Sequence, residues 1–152
     1  MAFLFGEFNI SIDAKGRFLI PAGYRKQLTK EETLTFMVNR NQEGSLNFYT
    51  KAQWEIYAAR VIAKNTFTDD QRMLKRLYFN GATWVEPDSA ERVLMPKNLL
   101  EYAQFEKDIT LVCMGDYSEI WPTDKYIKMM NDNQKNYNDL SNKVMGENNN
   151  AG

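Results

Sequence analysis

Asp13-Ala14-Lys15-Gly16-Arg17-Phe18-Leu19-Ile20-Pro21 is matched, 75 positions further on, by Asp88-Ser89-Ala90-Glu91-Arg92-Val93-Leu94-Met95-Pro96. Each stretch carries Asp, then Arg four residues later, then three apolar residues and Pro. An internal repeat of this kind predicts two copies of one structural unit. A unit of roughly 75 residues buries only a marginal core alone. The two halves are therefore expected to pack against each other, and self-association is expected to follow.

Outward from the first motif, Phe8, Ile10 and Ile12 alternate with Glu7, Asn9 and Ser11, the period of a half-buried strand. Asp13–Gly16 reads as a turn and Phe18–Ile20 as a returning strand, which predicts a hairpin. Pro21 then opens a short helix through Leu28. Leu34–Val38 and Leu46–Tyr49 read as a strand pair around Asn41-Gln42-Glu43-Gly44.

Thr50 with Gln53, and Thr68 with Gln71, are capping boxes. The first helix carries Trp54, Tyr57, Ala58, Val61 and Ile62 on one face, and the second Met73, Leu74, Leu77 and Tyr78. Both stripes read as core, and Asn80-Gly81 as the stop of the second helix.

The second half replays the first: strands at Thr83–Val85 and Val93–Met95 flank a turn at Pro87–Glu91, and a helix spans Pro96–Ala103. A hairpin joins Ile109–Cys113 to Ser118–Trp121, and a helix from Pro122-Thr123 carries Tyr126, Ile127 and Met130. Thr50 and Thr123 are thus equivalent helix starts. From Asn131 the chain turns rich in Asn, Asp and Lys, and a fraying helix with a disordered tail is expected. The organisation reads as a first repeat with its trailing helix (1–64), a connecting helix (65–82), a second repeat (83–130) and a polar tail (131–152).

The chain of 152 residues has net charge −1, no histidine and one cysteine. The missing histidines remove the commonest general base and metal ligand, and a single thiol removes a structural zinc site. Cys113, between Leu111-Val112 and Met114, reads as a strand residue suited to a reducing cytoplasm. No phosphate-binding glycine motif occurs, so no cofactor is expected. No apolar run approaches the roughly 20 residues of a membrane span, and Met1–Glu7 lacks the basic region of a signal peptide. Asp69-Asp70 suits a first helical turn and Glu31-Glu32 a polar loop, so the carboxylate pairs have structural explanations. A near-neutral chain has no global field to draw in nucleic acid; a local basic face suffices if oligomerisation multiplies it.

The turn motif has two readings. In the structural one, Asp13 and Asp88 bond turn amides and pair with the arginine on the returning strand, Gly16 allows the turn, and Arg92 repeats the staple. The functional reading rests on what differs between copies. Lys15 and Arg17 flank Gly16 at a basic tip, with Tyr24, Arg25 and Lys26 nearby on the following helix. A two-stranded ribbon fits the major groove of DNA, where arginine pairs with guanine and lysine neutralises phosphate. In the second copy Ala90 and Glu91 replace Lys15 and Gly16, and a carboxylate there repels phosphate, so that turn reads as structural or remote from DNA.

The chain resembles the MraZ family of bacterial transcriptional regulators. The resemblance rests on Phe5-Gly6-Glu7-Phe8, Ser11–Pro21, Tyr24-Arg25, Tyr78-Phe79-Asn80-Gly81-Ala82, the second Asp88…Arg92…Pro96 motif, Leu100-Glu101-Tyr102-Ala103 and Glu119-Ile120-Trp121. It runs from about residue 1 to 130. It implies an α+β fold of two pseudo-symmetric AbrB-like swapped-hairpin β units packed together, with short helices on the periphery. It further implies a homo-oligomeric ring, cytoplasmic and nucleoid-associated, that binds double-stranded DNA repeats upstream of its own division and cell-wall operon and represses it. DNA contacts are implied at Arg17 above all, with Lys15 and Arg25 at basic family positions, and Lys26 adjoins them. Glu91 departs from the glycine common before the second motif arginine, which puts a DNA role for Arg92 in doubt and raises the prospect of an altered turn. The alternative reading is an oligomeric protein-interaction module of the antitoxin-like swapped-hairpin class, with an enzyme third.

Overall fold

Each repeat lends its first strand to the other. In the computed structural model, which describes residues 3–149, β1 (Leu4–Ser11) runs antiparallel to β7 (Asp108–Gly115) with Phe8 opposite Leu111. Symmetrically, β5 (Thr83–Val85) runs antiparallel to β3 (Phe36–Arg40) with Trp84 opposite Met37. β4 (Leu46–Thr50) and β8 (Ser118–Pro122) meet in the middle, giving a six-stranded sheet in the order β1-β7-β8-β4-β3-β5. A separate ribbon joins β2 (Arg17–Leu19) to β6 (Arg92–Leu94).

The hairpin expected between Phe8–Ile12 and Phe18–Ile20 is therefore absent. The turn forms where expected, but its two strands take partners from the other repeat: β1 joins β7 and β2 joins β6. This is the exchange of a swapped hairpin, and through it each repeat completes the other's part of the sheet. Two pseudo-symmetric repeats interlock in an α+β fold, with α1 (Ala22–Arg25), α2 (Lys51–Ile62), α3 (Asp69–Phe79) and α4 (Lys97–Ala103) around them.

Inward positions from both repeats build one core. Phe18 and Val93, opposite each other in the ribbon, are buried, as are Tyr24, Leu99, Ile109 and Ile120. Phe36 and Phe48 stack with ring centroids 4.7 Å apart, and Tyr24 meets Phe48 edge-on at 5.9 Å. Each such side chain contributes roughly 1.5–3 kcal/mol through burial, so the core holds the exchanged strands in register.

Both capping boxes form. Thr50 accepts from the Gln53 amide at the start of α2, and Thr68 accepts from the Gln71 amide at the start of α3. Asn80 ends α3, and Gly81 follows with φ +76°. Trp54 and Ala58 of α2 pack with Met37 and Tyr49 in a smaller cluster, where Trp54 stacks on Tyr78 at 5.6 Å. The core reading fails for Ile62 at the end of α2 and for most of α3: Ile62, Met73, Leu74 and Leu77 are about half exposed or more, while Tyr78 and Phe79 pack against that cluster.

The chain divides into two compact units, one ending at Pro122 and one beginning at Thr123. In the second, α5 spans Thr123–Gln134 and α6 Tyr137–Asn149. The fraying helix expected past Asn131 ends at Gln134 and a further helix, α6, follows where a disordered tail is expected; residues 150–152 lie outside the described residues.

Candidate nucleic-acid interface

The Asp13 carboxylate organises the first turn. Its Oδ1 accepts from the Lys15 and Arg17 amides, each at 2.9 Å, and its Oδ2 accepts from Arg17 Nε at 2.8 Å. The backbone closes the same loop, Asp13 N–H donating to the Arg17 carbonyl at 2.9 Å and Gly16 N–H to the Asp13 carbonyl at 2.9 Å. Five hydrogen bonds within five residues fix the turn. The Arg17 amide bond, with the Arg17 side chain and the Lys15 amide, holds the Asp13 carboxyl below its ordinary value.

The second turn repeats the backbone and amide bonds of the first, and only its arginine side chain stands further off. Asp88 Oδ1 accepts from the Ala90 and Arg92 amides at 2.9 Å each, and Oδ2 faces Arg92 Nε at 3.5 Å. Glu91 leaves the geometry intact by taking φ +62°, where Gly16 has +88°. Glycine adopts that region freely, whereas a side chain there is strained. Here too the carboxyl is held below its ordinary value, chiefly by the Arg92 amide, with smaller help from Ala90 and from the Arg92 and Arg17 charges.

The influence of Arg17 on Asp88 follows from the ribbon. Arg17 stands opposite Leu94, and Leu19 opposite Arg92. With Phe18 and Val93 facing the core, the outer face presents two arginines on one diagonal and two leucines on the other. Leu19 and Leu94 are each 56% exposed. Arg17 and Arg92 also line one shallow depression with Ser11, Asp13 and Lys107. A rigid two-stranded ribbon with cations on its outer face has the dimensions a major groove admits.

The structure thus brings Lys15 and Arg17 together at the first turn, Lys15 exposed and Arg17 half-buried against Asp13. It does not bring Arg25 to them. Arg25 Nη1 pairs instead with Glu91 Oε1 of the second turn at 3.2 Å, while Lys26 is exposed on the next residue. Arg92, of the turn read as structural or remote from DNA, shares the ribbon face of Arg17. Sequence reasoning missed this, and missed Lys107, because both arrive through pairing between repeats; the mirrored motif spacing was the only signal for Arg92.

The remaining chemistry is structural. Asp69 pairs with Arg72 in the first turn of α3, and Glu32 accepts from the Thr29 amide at 2.8 Å. Cys113 is half-buried on β7, and burial pushes its thiol up. Among the described residues there is no cluster of three or more potential metal ligands and no helix long and apolar enough to cross a membrane.

Comparison with known proteins agrees with this architecture. The family profile described as "MraZ protein, putative antitoxin-like" matches the chain twice, over residues 3–77 and 78–145. The chain is 34% identical to the transcriptional regulator MraZ of Cytophaga hutchinsonii over 145 residues, covering 95% of this chain and 96% of that one. It is 31% identical to the same regulator of Carboxydothermus hydrogenoformans (92% and 95% covered) and 32% identical to that of Christiangramia forsetii (94% and 93%). A profile that matches twice and divides at residue 78, with relatives aligned nearly end to end, shows that the chain belongs to the MraZ family.

Proposed function

We propose that the protein is a transcriptional regulator that binds double-stranded DNA through the β2–β6 ribbon and its first turn, and represses its own division and cell-wall operon from the cytoplasm, on the nucleoid. The observation that carries this reading is the outer ribbon face, where Arg17 is held by Asp13 beside the exposed Lys15. Arg17 reads a base, Lys15 and Lys26 neutralise phosphate, and Arg25 joins them when DNA draws it from Glu91.

One bidentate arginine supplies only ~1–3 kcal/mol of base discrimination. Selectivity therefore comes from several subunits, in a ring, engaging repeated boxes at once, where linkage multiplies affinity. The near-neutral net charge of −1 fits a protein that depends on such multiplication. Relatives named as transcriptional regulators over nearly their whole length support the same role.

The test is a titration of labelled DNA from upstream of the gene, beside scrambled DNA, at several salt concentrations. Wild type prefers the upstream DNA, and Arg17→Ala loses the preference while keeping the fold. Equal, steeply salt-dependent binding to both DNAs would leave a nonspecific coating role. Binding to neither would favour a second reading, the protein-interaction module, which draws its support from the exposed Met73, Leu74 and Leu77 on α3.

A further inference from the structure

Away from the ribbon, the β3–β4 turn, α3 and α4 enclose a pocket of about 240 Å³. One wall is apolar: Leu74, Leu77 and the Tyr78 ring. Arg40 and Asn41 line the pocket as well. The Arg40 guanidinium lies over the Tyr102 ring, 5.1 Å from its centroid, and has no carboxylate partner among the described residues. Its Nε is buried without an acceptor, and so is Nδ2 of Asn41, a side chain only 9% exposed.

The floor is rigid. Asn41 Oδ1 accepts from the Glu43 and Ser45 amides at 3.0 and 2.8 Å, and the Asn41 carbonyl accepts from the Tyr102 hydroxyl at 2.6 Å. These bonds fix Asn41, and the Tyr102 ring that they orient supports the Arg40 guanidinium.

We propose that this pocket binds a small carboxylate carried on an apolar body, with the carboxylate on Arg40 and the body against Leu74 and Leu77. A guanidinium stacked on an aromatic ring keeps its edge free for a planar anion, and carboxylate is the group whose geometry that edge matches. A guanidinium without a carboxylate partner favours an anion over a neutral group. The volume lies below the roughly 300 Å³ at which pockets for drug-sized ligands begin. It therefore takes up a body the size of one benzyl or branched aliphatic group. The same chemistry comes from two sources, a free organic acid or the terminal carboxylate of a peptide ending in an apolar residue.

The full-length protein is titrated with phenylacetate, with phenylacetamide, and with a short peptide ending in leucine, by amide-resolved NMR. Saturable shifts confined to the pocket amides are expected for phenylacetate, and at least about tenfold weaker binding for the uncharged amide. Tighter binding of the peptide than of phenylacetate assigns the site to chain termini; the reverse assigns it to free acids. Arg40→Gln removes the preference for the acid. Because Arg40 also stacks on Tyr102, Leu74→Glu serves as the second variant: its position is 46% exposed, so the fold persists while a carboxylate on the wall repels the ligand. Equal binding of acid and amide, shifts outside the pocket, or no saturable shift would overturn the proposal.

Discussion

Arg25 and Glu91 face each other across the repeats, Nη1 to Oε1 at 3.2 Å, at the place where the pseudo-twofold sets Leu100 against Gly16. Each turn rests on the short helix of the opposite repeat. On one side a glycine admits a leucine; on the other a carboxylate meets a cation. The first turn thus stays basic and open, whereas the second neutralises the arginine of α1.

Glu91→Gly should release Arg25 and let the second turn relax. The lost pair is mostly exposed and contributes at most about 1 kcal/mol, and removing a side chain from φ +62° returns a similar amount. Folding stability should therefore change little. DNA affinity should rise, and the slope of log affinity against log salt should steepen by about one phosphate contact. Parallel thermal unfolding and salt-dependent DNA titrations check both, and an unchanged slope would show that Arg25 does not reach DNA.

Gly16→Ala should be costly where Glu91→Gly is mild. A Cβ on Gly16 would lie 2.6 Å from Leu100 Cδ1 and 3.3 Å from the Met95 carbonyl, at φ +88°. Leu100 can swing aside but the carbonyl cannot, since Met95 N–H donates to the Gly16 carbonyl at 2.8 Å. Left-handed strain with partial repacking should cost about 1–3 kcal/mol, measured as a lower denaturant midpoint at unchanged slope.

Stability should fall in acid through Asp13 and Asp88. Both carboxyls are held below the ordinary 3.8, each chiefly by the amide of its motif arginine. A lowered folded-state value means the charged form is favoured by folding. The contribution is complete above pH 3.8, the unfolded value, and fades as pH falls toward and through the lower folded values. Denaturant unfolding followed across that range should show stability decreasing with falling pH. Asp13→Asn and Asp88→Asn should each flatten the decline, in addition to lowering stability near neutrality.

What was legible in the sequence was local. The capping boxes at Thr50 and Thr68 form because a hydroxyl and a glutamine three residues apart meet wherever a helix starts. The turn at Asp13 forms because its bonds span five residues. Partner choice was not legible: an alternating stretch such as Phe8–Ile12 records which face is buried, not which strand lies beside it. The nearest strand in sequence, Phe18–Ile20, was therefore the natural reading, and the fold assigns β7 instead. The stripe of α3 misled for a related reason. Leu74 and Leu77 satisfy a helical period, but a period does not say whether the opposing surface comes from the same chain. The same limit hid Arg92 and Lys107, whose place beside Arg17 depends on register between repeats.

That register yields a last prediction. Arg17 and Arg92 occupy one diagonal of one face, yet their settings differ: Arg17 holds Asp13 at 2.8 Å, whereas Arg92 lies 3.5 Å from Asp88. The first turn also carries Lys15, and the second carries Ala90 and Glu91 in its place. If the ribbon binds DNA as proposed, phosphate is drawn to the first turn, which would set Arg17 at the base edges and leave Arg92 at the rim. Arg17→Ala should remove discrimination between operator and scrambled DNA, a loss of ~1–3 kcal/mol per engaged subunit. Arg92→Ala should weaken binding to both DNAs alike and lower the salt slope by about one per engaged subunit. If Arg92→Ala instead abolishes discrimination, the two repeats read DNA equivalently, and Glu91 does not set them apart.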